Sequence, residues 1–253
     1  MSEELSDCDV QVYWTRPVDH ADLVHLLDPT EQEAFETLHR DSDRNRYATA
    51  HALLRVVLAR HTGVPEDEQR FHRRCVICGG PHGKPRLLPA GADLDHAGDI
   101  DTPQVNLSYS GGRVMLALSE THPVGVDVEA WAATDFPGFH TAALTPAEAR
   151  ELLEFDIAER AAARTVWWAR KEAILKATGH GLRVDATSMR VSAPDHPPRL
   201  IDWNDAEVPR PEVCLGDVDV PGDYAAAVAV ACQGEVHAQV HEIADVRTHL
   251  RDC

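Results

Sequence analysis

Apolar and polar residues alternate along this chain with two different periods, which predict short strands and long helices. A period of two, with apolar side chains on one face, is typical of a half-buried strand. It occurs at 10–14, at 124–129, and in the pair 105–110 and 114–118, whose Gly-Gly turn predicts a hairpin. Further strand candidates lie near 188–192, 212–216, 223–231 and 235–240.

A helical period runs through two longer segments. One begins near Asp43 and ends at Gly63, and the other covers about 158–178 and ends at Gly179, a residue typical of helix C-termini. Capping-box patterns at Thr30–Glu33 and Thr145–Glu148 predict two more helix starts. The shorter helices are expected after Pro29, over 146–154 and over 242–250. Because strands and helices do not alternate as βαβ units, we predict an α+β fold with antiparallel sheets.

Composition narrows the partners and the compartment. The formal net charge of −18 argues against nucleic acid or an anionic membrane as the partner. No apolar run approaches the length of about 18 residues that a membrane span needs. The acidic start at Met1–Glu4 has no apolar core, so we expect no signal peptide. Six cysteines in 253 residues do not suggest a disulfide framework, and we expect a reduced, cytoplasmic protein.

Two short stretches carry the candidate chemistry. On the strand 124–129, Asp127 and Glu129 share the face opposite two valines. On the second long helix, Glu172 and Lys176 are four residues apart and share a face. Taken singly, these are ordinary surface groups. Together, three carboxylates and an ammonium form the set needed for magnesium-assisted phosphate transfer, since Mg²⁺ prefers oxygen ligands.

Basic residues elsewhere suggest a phosphate-binding surface. Arg40, Arg44 and Arg46 lie at the start of the first long helix, where they are either a solvated face or an anion site. The rigid turn Gly83-Lys84-Pro85 would hold one ammonium forward, which suits a phosphate.

A Cys-x-x-Cys pair has two interpretations. Cys75 and Cys78, with His72 and His82 on either side, have the composition of a structural zinc site. No second Cys-x-x-Cys is present, so a pair of free thiols in a Gly/Pro turn is the alternative that we favour.

These segments resemble a known family, the Sfp-type 4′-phosphopantetheinyl transferases. Residues 125–129 match its motif G-[IV]-D-[IVL]-E, and residues 168–181 match W-x-x-K-E-A-x-x-K-x-x-G-x-G. Gly83-Lys84-Pro85 and the N-[ILV]-S-[HY]-S segment at 106–110 precede them in the family's order. The resemblance covers roughly residues 10–240.

The resemblance implies a fold of two similar subdomains related by a pseudo-twofold axis. Each would be a small antiparallel sheet packed on a long helix, with the active site in the cleft between them. Residues 1–121 would contact coenzyme A phosphates, and residues 122–253 would hold the metal site and contact the carrier protein. Family members of this length are generally monomers, so we expect a monomer.

The resemblance also implies a reaction. A serine hydroxyl of an apo acyl or peptidyl carrier protein attacks coenzyme A, taking its 4′-phosphopantetheine and releasing 3′,5′-ADP. Asp127, Glu129 and Glu172 would bind Mg²⁺ or Mn²⁺. Glu172 is the candidate general base, with a water held by Asp127 as the alternative, and Lys176 would stabilise the leaving phosphate. Contacts with coenzyme A are expected from Arg40, Arg44, Arg46, Gly83, Lys84, Pro85, Ser108, Tyr109 and Lys176.

Some features leave other functions open. Tyr109 stands where many relatives have histidine, and a tyrosine brings no positive charge to a phosphate. Because carrier proteins are usually acidic, Arg160, Arg164 and Arg170 are either a local basic patch for docking or a solvated helix face. A magnesium-dependent hydrolase of nucleotides or pyrophosphates, and a non-enzymatic carrier-binding or zinc module, are the alternative functions.

Overall fold

A computed structural model describes residues 8–75, 79–80, 83–89 and 102–250. The helices are α1 Pro29–Glu36, α2 Asp41–Thr62, α3 Phe139–Ala143, α4 Pro146–Glu151 and α5 Arg160–Thr178. The strands are β1 Asp9–Thr15, β2 Phe71–His72, β3 Arg86–Leu87, β4 Gln104–Ser110, β5 Arg113–Ser119, β6 Val124–Ala130, β7 Met189–Val191, β8 Leu200–Trp203, β9 Cys214–Asp217, β10 Tyr224–Val230 and β11 His237–Glu242.

Two sheets form the centre of the molecule, each covered by one long helix. The first has the strand order β11-β1-β5-β4 and packs against α2, and the second has the order β6-β10-β9 and packs against α5. All strand pairs of the described residues are antiparallel except β1 with β11. The predicted α+β fold is thereby confirmed. Because β11 pairs with β1, the chain returns to its first sheet near its end, and the boundary at residue 121 stays a prediction.

An apolar layer joins the two sheets. Val12 and Met115 of the first sheet pack with Val126, Val128 and Val228 of the second, and all five are fully buried. The predicted alternation of β6 is therefore confirmed: its valines face the other sheet, and its acidic side chains face α5.

The two long helices end where the glycines predicted. Gly63 after α2 and Gly179 after α5 adopt positive φ angles of 74° and 72°, which glycine reaches without a steric penalty. The capping box at Thr145–Glu148 is also present and opens α4. The box expected at Thr30–Glu33 is wrong by two residues. Its members are Asp28 and Glu31, because Pro29 occupies the first helical position.

The C-terminal segment differs from the expected helix over 242–250. It contains the last residue of β11 and a short 3-10 turn at Val246–His249, because pairing with β1 keeps the chain extended through Glu242. A disulfide joins Cys8 to Cys232, contrary to the expectation of a reduced chain. Across the described residues, no helix has the length and apolar character needed to cross a bilayer.

A buried charge cluster fastens α1 to α2. The Glu31 carboxylate is 1% exposed, lies 2.6 Å from both His51 Nδ1 and Arg55 Nη2, and also pairs with Arg73. Burial by itself raises the pKa of Glu31, but the His51 hydrogen bond and the charges of His51 and Arg55 outweigh it and lower the pKa to about 2. The cluster therefore favours the ionised carboxylate.

This pKa predicts a loss of stability in acid. Because the folded pKa of Glu31 lies below its ordinary 4.5, the stabilisation is complete above that pH and is lost as pH falls towards 2. The loss should be about 3 kcal/mol in the free energy of unfolding, measured by urea titration across this range. Glu31→Gln should remove most of this slope, whereas Glu33→Gln, an exposed change on the same helix, should retain it. An equal slope in Glu31→Gln would contradict the assignment.

Candidate active site

A glycine allows the two candidate motifs to meet. A Cβ added at Gly125 of β6 would lie 2.1 Å from the Ala173 carbonyl oxygen and 2.3 Å from the Ala177 nitrogen of α5. Real Cβ atoms do not approach backbone atoms so closely, so only glycine permits this crossing. It brings Lys176 of α5 directly to Asp127 of β6.

Asp127 lies at the centre of the site. Its side chain is buried, and its Oδ1 accepts hydrogen bonds from Lys176 Nζ at 2.6 Å and from Ser108 Oγ at 2.9 Å. The Lys176 ammonium also donates to Ser108 Oγ at 3.0 Å and to the Val126 carbonyl at 3.2 Å. The other carboxylate oxygen, Asp127 Oδ2, is buried and has no hydrogen-bond partner.

Two further carboxylates experience the charge of Asp127. Burial and then Asp127 raise the pKa of Glu129 to about 7, against the opposing effects of Ser110, Lys176 and Trp168. Burial and then Asp127 also raise the pKa of Glu172, with Lys176 acting in the opposite direction. The predicted acidic set and its lysine therefore share one electrostatic environment between β6 and α5.

The carboxylates do not form a closed cage. Among the described residues, the carboxylate oxygens of Asp127, Glu129 and Glu172 do not all lie within 4.8 Å of one another. Asp127 is paired with Lys176 instead, as expected for a carboxylate beside an ammonium. The buried, unpartnered Asp127 Oδ2, with two more carboxylates nearby, fits a hard divalent cation, which takes oxygen ligands.

A cavity of about 580 Å³ opens beside the carboxylates, between the start of α2 and the edges of β4 and β6. Glu129, Arg46 and the 40% exposed Tyr109 line it. Arg46 donates to the Gly111 carbonyl at 3.1 Å and pairs with Asp43. Two predicted coenzyme A contacts, Arg46 and Tyr109, and one predicted metal ligand, Glu129, therefore face the same space.

The other two arginines of the predicted phosphate surface do not line this cavity. Arg40 is exposed at the N-cap of α2. Arg44 donates to the Leu38 carbonyl at 2.9 Å and lies over the Phe35 ring. Their contacts with coenzyme A stay predictions.

Lys84 binds backbone atoms. Its ammonium donates to the carbonyls of Val124 and Ala177, each at 3.0 Å, and thereby connects the start of β6 to the end of α5. Burial, followed by the charges of Arg86 and Lys176, lowers its pKa to about 7. The amine is not held forward as the turn suggested, and a phosphate contact by Gly83, Lys84 or Pro85 stays a prediction.

Two of the four predicted zinc ligands, Cys78 and His82, lie outside the described residues. His72 is in β2, and Cys75 lies just after it.

The predicted basic docking patch of Arg160, Arg164 and Arg170 is wrong for Arg170, which does not reach the surface. Arg170 is fully buried, where it pairs with Asp217 at 2.6 Å and donates to the carbonyls of Ser192, Ala193 and His196. A helical period identifies the faces of α5 but not the strand that covers each one.

The sequence motifs do not reveal that Lys171 has a buried partner. Its ammonium lies 2.6 Å from Glu148 Oε2, and both side chains are 0% exposed. It also donates to the carbonyls of Ala143 and Ala186, while Glu148 Oε1 accepts from the Val191 nitrogen. The pair therefore holds α5 against α4 at the residue preceding Glu172. The capping box at Glu148 was visible in the sequence, but its second role was not.

Removing one charge of this pair is expected to destabilise the fold. Lys171→Met leaves Glu148 charged and buried, so the free energy of unfolding should fall by about 3 kcal/mol or more. Lys171→Met/Glu148→Gln should recover part of the loss, because no uncompensated charge remains. Urea denaturation of both variants measures the difference. A loss below about 1 kcal/mol in Lys171→Met would mean that the charge is not buried as described.

Comparison with known proteins gives consistent results. Residues 123–229 match a family model described as "4'-phosphopantetheinyl transferase superfamily". The "Putative 4'-phosphopantetheinyl transferase slr0495" of Synechocystis sp. is 28% identical over 162 residues, which cover 62% of this chain and 58% of that protein. The "4'-phosphopantetheinyl transferase HetI" of Nostoc sp. is 25% identical over 218 residues, which cover 83% of this chain and 86% of that protein.

Solved structures with partial similarity include two acyl-carrier-protein synthases. The holo-ACP-synthase from Plasmodium yoelii is 20% identical and has a TM-score of 0.34, covering 43% of this chain and 92% of that chain. The Thermotoga maritima holo-[acyl-carrier-protein] synthase is 22% identical and has a TM-score of 0.34, covering 46% of this chain and 64% of that chain.

Proposed function

We propose that the chain is a member of the 4′-phosphopantetheinyl transferase superfamily, and that it transfers 4′-phosphopantetheine from coenzyme A to a serine of an apo acyl or peptidyl carrier protein. The observation that carries the proposal is the contact between Asp127 and Lys176 where α5 crosses β6, with Glu129 and Glu172 near enough for the charge of Asp127 to raise their pKa values. A cavity of about 580 Å³ beside this meeting point has room for part of a nucleotide.

The proposed reaction exchanges one bond to phosphorus for another. The serine oxygen of the carrier attacks the β-phosphorus of coenzyme A, the bond from that phosphorus to the bridging oxygen breaks, and 3′,5′-ADP leaves. Glu172 takes the serine proton, with a water positioned by Asp127 as the alternative base. The Lys176 ammonium lies 2.6 Å from Asp127, and therefore beside the proposed metal site. From there its positive charge would stabilise the negative charge that develops on the leaving phosphate.

The acidic residues also define the proposed cofactor. Mg²⁺ or Mn²⁺, bound by Asp127, Glu129 and Glu172, would neutralise the pyrophosphate and orient it. The buried Asp127 Oδ2, which has no hydrogen-bond partner, supports this assignment. Without a cation, these carboxylates would repel the negatively charged pyrophosphate of coenzyme A. A bound metal ion removes this repulsion.

The two substrates bind on opposite sides of the site in this proposal. We place the coenzyme A phosphates along Arg46, Ser108 and Tyr109, on the side of residues 1–121, and the carrier on the side of residues 122–253. The similar placement of α2 and α5 on their sheets supports a pseudo-twofold relation of the two halves. The extent of the match to HetI favours the Sfp type over the shorter synthase type. A monomer completes the proposal, and the disulfide between Cys8 and Cys232 leaves the cytoplasmic location a prediction.

A mass-shift assay tests the function. The protein is incubated with coenzyme A, Mg²⁺ and a panel of apo acyl and peptidyl carriers. The expected result is a gain of one phosphopantetheine on the carrier serine, absent when that serine is replaced by alanine. Cleavage of coenzyme A at the same rate with and without a carrier would contradict the proposal and indicate a hydrolase.

A further inference from the structure

A row of polar side chains on β4 connects the two sheets. Asn106, Ser108 and Ser110 occupy alternate positions and therefore point to the same side of the strand, towards β6. Each accepts a hydrogen bond from a backbone nitrogen of β6. The bonds are Val126 N to Asn106 Oδ1 at 2.8 Å, Val128 N to Ser108 Oγ at 3.2 Å and Ala130 N to Ser110 Oγ at 3.2 Å. We call these three side chains the polar row.

The polar row replaces a backbone ladder. β4 is the edge strand of the first sheet and β6 is the edge strand of the second, and neither sheet includes the other strand. The backbone nitrogens of an edge strand need partners when they are buried. The side chains of the polar row supply these partners at every second residue, so they fix the register of β6 against β4.

Each serine of the polar row also binds a carboxylate of the site. Ser108 donates to Asp127 Oδ1 at 2.9 Å, and Ser110 donates to Glu129 Oε2 at 2.7 Å. A hydroxyl has one hydrogen to donate and lone pairs to accept with, so each serine uses its hydrogen on the carboxylate while it accepts from the backbone of β6. One side chain thus fixes both the strand and the acidic group that the strand carries.

We propose that Ser110 is a positioning residue that sets the Glu129 carboxylate for the divalent cation, acting as part of the polar row. This inference rests on the proposed function, because it assigns Glu129 as a ligand. Ser110 is buried and donates its only hydrogen to Glu129. Without the hydroxyl, the Ala130 nitrogen and Glu129 Oε2 both lose this partner, and the carboxylate is held less firmly.

The closing experiment measures metal binding separately from turnover. Binding of Mn²⁺ to the full chain with coenzyme A present is followed by electron paramagnetic resonance, together with thermal stability and carrier modification. Ser110→Ala should raise the Kd for Mn²⁺ about 10-fold, as is typical when a group behind a metal ligand is lost. Ser110→Thr, which keeps the hydroxyl, should restore most of the affinity. The KM for coenzyme A should change less than the Mn²⁺ requirement.

The control is the same substitution elsewhere in the first sheet. Ser119 of β5 is buried, and its hydroxyl oxygen accepts from the His122 nitrogen, not from a β6 nitrogen. Ser119→Ala should leave Mn²⁺ binding unchanged. Three outcomes would each overturn the inference. Ser110→Ala could bind Mn²⁺ as tightly as the wild-type protein, Ser119→Ala could lose as much Mn²⁺ affinity as Ser110→Ala, or the wild-type protein could bind no Mn²⁺. If the wild-type protein binds Mn²⁺ and Ser110→Ala weakens it, but no carrier is modified, the proposed function fails while the positioning role stands.

Discussion

Asp127→Asn is expected to lower the rate of carrier modification by about 10³-fold, the size of effect seen when a group that stabilises the transition state electrostatically is removed. Asp127 is the carboxylate that contacts Lys176, and its charge also acts on Glu129 and Glu172. Asparagine keeps the shape of the side chain but removes the charge that the proposed metal needs. The loss should appear in the mass-shift assay at saturating coenzyme A and should not be recovered by more Mg²⁺.

The fold should tolerate this substitution, which makes the activity loss interpretable. Neutralising Asp127 weakens its pairing with Lys176 but also relieves its repulsion with two nearby carboxylates. These effects oppose each other, so the midpoint of urea unfolding should change little. Asp135→Asn offers a matched control, because Asp135 is exposed and pairs with Arg164. If Asp127→Asn retained more than about a tenth of wild-type activity, the central role of this carboxylate would be wrong.

The sequence predicted those parts of the fold that depend on local chemistry. Gly63 and Gly179 identified the ends of α2 and α5, because a left-handed residue is a property of the chain at that point. The alternation in β6 identified its two faces for the same reason. The pairing of β11 with β1 was not predictable in this way, because these strands are more than two hundred residues apart and no local pattern specifies which edge a returning strand will join.

In the candidate site too, local spacing predicted the faces that carry the residues but not their partners. Residue spacing placed Asp127 with Glu129 on one face and Glu172 with Lys176 on another, but it could not show that Lys176 pairs with Asp127. Lys84 is a clear example of the limit. The turn suggested an ammonium held out to a phosphate, whereas the structure buries it against two backbone carbonyls. A side chain's partners are set by the packing of distant segments.

The glycine of the first motif is explained only by packing. Gly125 is not among the glycines with positive φ, so its backbone conformation is open to other residues. What excludes a side chain is α5, whose backbone would lie 2.1 Å from an added Cβ. Gly125→Ala should therefore push α5 away from β6 and lower the free energy of unfolding by about 3 kcal/mol or more. Urea denaturation measures this loss.

The rate of carrier modification by Gly125→Ala should fall by more than the loss of folded protein explains. Glu172 and Lys176 would move with α5, while Asp127 and Glu129 remain on β6. A shift of about 1 Å between catalytic groups can cost about 100-fold in rate, so carrier modification should drop by at least that factor even in the folded fraction. Gly216→Ala is the matched control, since Gly216 is a strand glycine of the same sheet whose added Cβ would lie 3.3 Å from the Val236 side chain and not against backbone atoms. Wild-type stability and activity in Gly125→Ala would mean that β6 and α5 do not cross so closely, and the meeting of carboxylates and lysine on which the proposed function depends would be lost.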